Sequence, residues 1–386
     1  MSAPGALDGV RVLDLSSVIL GPMAGQYLGD MGADVIKIEG PEGDITRSIG
    51  PRRSEGMGAL FLANNRNKRS VVLDLKTAEG QAALGRLVAA SDVLLHSIRA
   101  GAAARIGLSY ATLSALNPRL ILCHVKGFQD DGPYGGRPAY DDIIQALSGL
   151  AMLQKIAAGS PRYVPSIIAD KVAAVHAAYA VALALFHRER TGRGQAVGVP
   201  MLETMVAFNA HEHLGGAIFE PGVGRMGYEP IRQAMRRPFA TRDGFLCLLP
   251  YTDAHWRAFF TLVERPDLAA DPGYASLRGR QANLGRVWAE VERLVAARGN
   301  AEWHALLDPT DIPHAVLNEL EDLLDDPHLA ATGFWQMREH PSEGMLRLPA
   351  NPIEMPAAPP SIRRLPPRLG EHTAEVLAEY GAATEQ

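Results

Sequence analysis

The sequence predicts an α/β fold in its first half and a smaller domain after it, and three observations carry the expectation. Short apolar runs alternate with helix-period segments from Val10 to about Gly127, the character of the chain changes near Arg225, and seven prolines crowd the stretch from Pro349 to Pro367. Alternating strand and helix patterns of this kind build a parallel sheet covered by helices.

VRVLDLS, from Val10, reads as the first strand. A Gly-Pro turn follows at Leu20 to Pro22, then a helix over Met23–Met31, then the strand ADVIKIE from Ala33 to Glu39, which together make a β-α-β unit. SVVLDLK (Ser70 to Lys76), SDVLLHS (Ser91 to Ser97) and LILCHVKG (Leu120 to Gly127) supply three more strands. The segment beginning at Asp170 carries Val172, Val175, Tyr179, Leu183 and Phe186 at three- and four-residue spacing and stops at TGRG, which predicts a half-buried helix. Asp170 itself is the expected N-cap, because a carboxylate there accepts backbone N–H bonds and gains from the positive end of the helix dipole. After Arg225, RRPFATRDGFLCLLP reads as a hairpin turning at Asp243-Gly244, and amphipathic helices run through Trp256, Trp288 and Trp303. The proline-rich stretch excludes helix interior and central strand, so an extended connector is expected there. The expected boundaries are therefore 1–224, 225–325 and 326–386.

A chain of 386 residues with 47% hydrophobic and 21% charged residues suits two or three domains with sizeable cores. A formal net charge of −5 offers no basic field for nucleic acid. Cys123 and Cys247, the two cysteines, stand in apolar surroundings and suggest neither a disulfide framework nor a metal site, which fits a reducing, cytoplasmic setting. The start lacks the pattern of a secretory signal, and the longest apolar run, Val172 to Phe186, is interrupted by His176 and is expected not to cross a membrane.

Glu39 ends the second strand where an acid that binds a ribose would sit. The glycines do not agree: Gly21, Gly25 and Gly29 are spaced by four, not as G-x-G-x-x-G, and no G-x-x-x-x-G-K-[ST] is present. His211 and His213 stand two apart, so on a helix they point in different directions and make a poor ligand pair. With no H-E-x-x-H, paired C-x-x-C or G-x-S-x-G either, no metal site is expected and a serine hydrolase is disfavoured. Asp170 remains as a carboxylate that could combine capping with nucleophilic attack, since a helix N-terminus holds such a group ionised and fixed in direction.

The segments LDGVRVLDLSSVILGPMAGQYLGDMGADVIKIEGPEGD, NRNKRSVVLDLK, GFQDDGPYGGRPAYDDIIQALSGL, RERTGRGQAVGVPMLETM, DDPHLAATGF and PPRLGEHTAEVL together resemble the class III CoA-transferases, also called the CaiB/BaiF family. Formyl-CoA transferase, carnitine CoA-transferases and α-methylacyl-CoA racemases belong to it. The resemblance runs from Leu7 to Leu377. It implies a Rossmann-like large α/β domain built from both chain ends, a smaller α+β domain inserted between them, and a homodimer whose chains interlock like links. It also implies acyl-CoA and carboxylic acids as substrates, with no tightly bound cofactor.

By that resemblance Asp170 is the nucleophile, forming an acyl-aspartyl anhydride and then an aspartyl-CoA thioester. CoA contacts carry over at Ile19 and Leu20; at Leu73, Asp74, Leu75 and Lys76; at Ser97, Ile98, Arg99 and Arg105; and at Arg137 and Tyr140. Lys76 and Arg105 suit phosphate or adenine, although such residues are also common on solvated surface.

Departures from the family are as informative. Formyl-CoA transferase has Gln where Ile19 stands and Arg where Gly40 stands, and its consecutive glycines over the active site have only PGVGRMG, Pro221 to Gly227, as a possible counterpart. Oxalate is therefore not the expected acceptor. Racemases of the family carry His where Tyr140 stands, and a phenol, titrating near about 10, is a poor base at neutral pH. Transfer is thus the expected reaction, with racemisation and non-catalytic CoA binding as alternatives. Arg225, Arg232, Arg236 and Arg237 could hold the second carboxylate of a dicarboxylic acceptor, or be surface charge. Ala174 replaces a glycine frequent in relatives, and its methyl is expected to narrow the acyl space.

Overall fold

The computed structural model describes residues 4–232 and 236–381. It forms two compact units, one from the chain up to His211 together with the chain from His328 onward, the other from Glu212 to Pro327. The break at Glu212 precedes the change in composition near Arg225.

The first unit is built on six parallel strands, β1 (Arg11–Asp14), β2 (Asp34–Glu39), β3 (Lys68–Val72), β4 (Val93–His96), β5 (Ile121–Lys126) and β6 (Gln195–Pro200). Their order is β3-β2-β1-β4-β5-β6. Successive side chains feed opposite faces of the sheet, so Val12, Val35, Val93, Leu95 and Cys123 enter one core while Leu13, Ile36, Leu94 and Leu122 enter the other. The chain moves outward from β1 to β3 and returns to β4 beside β1, which opens a crevice beyond the carboxyl ends of β1 and β4.

Beyond shifts of a residue or two at strand ends, β6 is a strand the sequence patterns do not predict, and β3 and the first helix start earlier than expected. β3 starts at Lys68, ahead of the apolar run, because its charged residues are buried with partners. Lys68 Nζ donates to Asp14 Oδ2 at 2.8 Å, to the Pro22 carbonyl at 2.7 Å and to Asn65 Oδ1 at 2.9 Å, using all three protons. The first helix spans Leu20–Asp30 and takes Pro22 into its opening turn, where the missing N–H costs nothing. The four-residue glycine spacing now has a reason. A Cβ on Gly21 would overlap the Ser16 side chain, and one on Gly25 would stand 2.9 Å from Asp14 Oδ2, so these glycines let the helix lie against the end of β1.

Glu39 is likewise committed to structure. It receives Arg47 through both oxygens, at 2.8 and 2.7 Å, together with the Asp44 N–H and the Ser70 hydroxyl. Lys37, fully buried, donates to Asp44 and to the Ser16 carbonyl, both at 3.0 Å.

The helix Ile168–Thr191 lies against the sheet through Ala169, Ala173, Ala174, Ala177, Val181, Ala184 and Leu185. The stripe read from the sequence is its other side: Val175, Tyr179, Leu183 and Phe186 are 50–62% exposed. Small side chains permit close approach to the first helix and the sheet, so the Ala face outcompetes the larger apolar one. Ala174, fully buried in this core, contributes no wall to the cavity described below. The 24-residue helix, with a mean hydropathy of 1.5 over its best 18-residue window, is by length and composition long and apolar enough to cross a membrane, since it extends beyond the Val172–Phe186 run marked in the sequence. Its Ala face belongs to the core of an α/β unit.

The chain from Pro349 returns without regular structure, threading past β3, where Arg363 and Arg364 N–H groups donate to Asn67 Oδ1, and ends in a helix at Thr373–Gly381. The second unit holds a three-stranded antiparallel sheet of β7 (Phe239–Ala240), β8 (Phe245–Leu248) and β9 (His314–Val316), with Thr241 N–H bonded to the Gly244 carbonyl in the hairpin turn. Trp256, Phe259, Phe260 and Trp303 form its aromatic core.

Replacing Lys68 by Met removes one partner of a fully buried pair and strands the Asp14 carboxylate. The expected cost is about 3–5 kcal/mol of unfolding free energy, read by urea denaturation, against less than about 0.5 kcal/mol for Lys76→Met on the surface.

Candidate active site

Asp170 is the third residue of its helix, not the cap. The cap position belongs to Ile167, which offers no side-chain bond. The capping role is filled from outside the helix by Asp141, whose Oδ1 accepts the N–H groups of Ala169 at 2.7 Å and Asp170 at 3.2 Å. The second oxygen of Asp141 accepts from Gln145 Nε2 at 2.6 Å, and Gln145 also receives Val164 N–H and donates to the Ser166 carbonyl. Asp141 and Gln145, one turn apart on the helix Asp141–Leu147, thus fix the segment that delivers Asp170.

Relieved of capping, the Asp170 side chain has no hydrogen-bond partner among the described residues and lines a cavity of about 290 Å3. Burial pushes its pKa up to about 7, helped by the neighbouring charge of Asp141. The helix N-terminus, expected to hold this group ionised, is outweighed by loss of solvent.

The cavity lies in the crevice where the strand order reverses. Its walls come from the turn after β1 (Ser17–Leu20), the chain after β4 (Ser97, Arg99), the end of β5, and the Gly136–Tyr140 loop. Of the residues singled out in the sequence, Ile19, Leu20, Ser97, Arg99, Arg137 and Tyr140 therefore meet Asp170 around one space. A second cavity of about 570 Å3 gathers Leu73, Asp74, Leu75, Lys76 and Ile98 with the loop from Glu39 to Asp44, and Ser17 borders both. Arg105, exposed at the end of the helix Ala100–Arg105, lines neither.

Several wall residues escaped the sequence reading. His124 and Lys126 stand at the carboxyl end of β5, where the general rule for parallel sheets would have pointed. His124 stacks on the buried His96 with ring centroids 4.3 Å apart, and burial together with that neighbour lowers His96 to about 3, leaving it neutral. Val18 carries no signal at all in the sequence. Its backbone is left-handed, φ 70°, a costly state for a β-branched residue, and its N–H is held at 3.3 Å by Asp44 Oδ1. Asp141, visible in the sequence only as one acid of the PAYDD segment, is the residue on which the geometry turns.

His213 accepts the Tyr228 N–H at 3.1 Å and is buried, a structural role. Arg237 pairs with Glu292, and Arg232 donates to the Met226 carbonyl, so two of the four candidate carboxylate-binding arginines already have partners.

The profile of CoA-transferase family III matches residues 7–373. A succinate–glutarate CoA-transferase of Agrobacterium fabrum is 34% identical over 97% of this chain and 95% of its own. A succinyl-CoA:mesaconate CoA-transferase of Haloarcula hispanica is also 34% identical, over 98% of each chain. Among solved structures, a CaiB/BaiF family protein from Brucella suis superposes with a TM-score of 0.84 at 31% identity, covering 98% of this chain and 100% of that one.

A raised carboxyl pKa couples to stability with a definite sign. The neutral acid is the form the fold prefers, so its contribution is complete below about pH 4, the unfolded value, and is lost as pH rises through about 7. Asp170→Asn keeps the neutral shape at every pH. Thermal denaturation is expected to show the variant more stable than the parent at pH 8, by on the order of a few kcal/mol at most, and nearly equal to it at pH 4.

Proposed function

The chain belongs to CoA-transferase family III, and from that membership we propose that it moves CoA from an acyl-CoA donor to a carboxylic acid acceptor with Asp170 as the nucleophile. The observation that carries the reading is the Asp170 carboxylate, buried, unpartnered and opening onto a cavity at the switch point of the sheet. CoA thioesters are then substrates, and no tightly bound cofactor is required.

The ionised carboxylate attacks the thioester carbonyl of the donor. The carbon–sulfur bond breaks, CoA leaves as its thiolate, and an acyl-aspartyl anhydride remains. The thiolate attacks the aspartyl carbonyl, releasing the donor acid as its carboxylate and leaving Asp170 as a CoA thioester. The acceptor carboxylate attacks that thioester and displaces the thiolate, which then attacks the acceptor carbonyl of the new anhydride and regenerates Asp170. Each step exchanges one acyl bond for another, so no proton or electron has to be supplied from outside. A pKa of about 7 leaves a useful fraction of Asp170 ionised at neutral pH while keeping the carboxylate poorly solvated and hence reactive.

The division of space supports a division of the donor. The larger cavity, with Leu73, Asp74, Leu75, Lys76 and Ile98, suits the nucleotide end, and the Asp170 cavity, with Ile19, Leu20, Ser97, Arg99, Arg137 and Tyr140, suits the pantetheine arm and thioester. Arg105, which borders neither, serves here only if it swings toward the bound nucleotide. The relatives named for succinate, glutarate and mesaconate make dicarboxylates the first acceptors to try. We read the second compact unit as the small inserted domain, and the exposed Val175, Tyr179, Leu183 and Phe186 as part of the contact of an interlocked homodimer. The free thiols of Cys123 and Cys247 suit a cytoplasmic setting.

Incubation with succinyl-CoA followed by hydroxylamine or borohydride is expected to modify the peptide holding Asp170, and Asp170→Ala to abolish both adduct and exchange. No adduct across a broad acyl-CoA panel would sink the transferase reading, and deuterium exchange at the α-carbon of a 2-methylacyl-CoA would favour racemisation. Since kcat/KM should rise with pH as Asp170 ionises, Asp141→Asn, which can still accept the two N–H bonds but carries no charge, is expected to move that rise to lower pH. Multi-angle light scattering should return twice the 41.5 kDa chain mass, and a monomer would overturn the dimer.

A further inference from the structure

In the second unit three donor atoms converge. His304 and Asp308 lie four residues apart at the end of the helix Asn300–Leu307, where i and i+4 share a face, and His314 opens β9. Asp308 Oδ1 is 3.1 Å from His314 Nε2 and 3.5 Å from His304 Nδ1, and ligand atoms of all three residues lie within 4.8 Å of one another.

The hydrogen bonds constrain what fills the centre. His314 Nδ1 is 2.9 Å from the Ile312 carbonyl oxygen, an acceptor, so that nitrogen carries a proton. In the neutral ring Nε2 is then a bare lone pair directed at a carboxylate oxygen, an arrangement that repels unless a cation stands between them. A proton on Nε2 would serve that one contact. A metal ion would serve His304 Nδ1 as well, because ligand atoms about 2.0–2.2 Å from one tetrahedral ion stand about 3.3–3.5 Å apart, close to the two separations of the carboxylate oxygen from the rings. The Nδ1–H bond to a backbone carbonyl is also the orientation that metal-bound imidazoles generally adopt.

We propose that His304, Asp308 and His314 form a zinc site that staples the end of the helix Asn300–Leu307 to the edge strand β9. Two imidazoles and a carboxylate match the donor preference of Zn2+, and the exposure of Asp308 leaves the fourth position to water. Sequence motifs hold no signal for such a site, because the turn that brings His314 to His304 and Asp308 is closed only by the fold. The site is structural: it neither contributes to the Asp170 cavity nor depends on the transferase reading.

The test uses the full chain, stripped with a chelator and dialysed. Titration with Zn2+ against a competing chromophoric chelator is expected to show one ion per chain in the micromolar range or tighter, with a rise in melting temperature. X-ray absorption of the loaded protein should show two imidazole nitrogens and an oxygen donor at about 2.0–2.2 Å. Asp308→Asn and His314→Ala should each weaken binding by about tenfold or more. The proposal is overturned if binding is not saturable near one ion per chain, if the absorption spectrum shows fewer than two imidazoles, or if both variants bind as the parent does. The spectrum of the unmutated chain decides the matter even where a variant fails to fold.

Discussion

One carboxylate holding the start of a helix to which it does not belong governs this site. A helix N-terminus must satisfy its free N–H groups, and Ile167 has nothing to offer them. Asp141 does so from the neighbouring helix, and three consequences follow. The helix begins where Asp141 permits, Asp170 is released from capping, and a second negative charge is placed beside Asp170. An Asp170 that capped its own helix would be hydrogen-bonded and held ionised.

The opposite side of the crevice rests on buried charge. Lys68, the first residue of β3, meets Asp14 at the carboxyl end of β1, and Lys37 within β2 meets Asp44 in the loop that follows it, all four side chains being covered. Such pairs contribute little net stability against apolar replacements of the same shape, but each charge fixes the position of its partner. Asp44 uses its other oxygen to hold the left-handed Val18, so the ion pair beneath the sheet edge also sets the shape of the turn that walls the Asp170 cavity. Backbone strain at a cavity wall persists only where surrounding bonds over-determine it, and here those bonds are identifiable.

The Asp170 helix shows how far patterning could be read. Its 3.6-residue period was visible, and so was its end at Gly192, where the left-handed cap closes the helix. Which face would be buried was not. Hydrophobic spacing favours Val175, Tyr179, Leu183 and Phe186, yet the sheet takes the alanines because thin side chains allow closer packing. The large apolar face is left over, consistent with the homodimer proposed from family membership.

By itself the sequence determined the first five strands of the parallel sheet, the helix that follows Asp170, the glycine stripe and the family, because these depend on local period and on long motifs; the edge strand β6, with mostly exposed or half-buried residues, carried no such signal. Through the family it also pointed to Asp170 and to several residues that line the two cavities. What only the tertiary structure decided was everything joined across distance. Asp141 reaches Asp170 across a separation of twenty-nine residues, Lys68 starts a strand because Asp14 faces it, and His314 meets His304 across a turn. Charged residues in a sequence read as surface until a partner is known, and partners come from the fold.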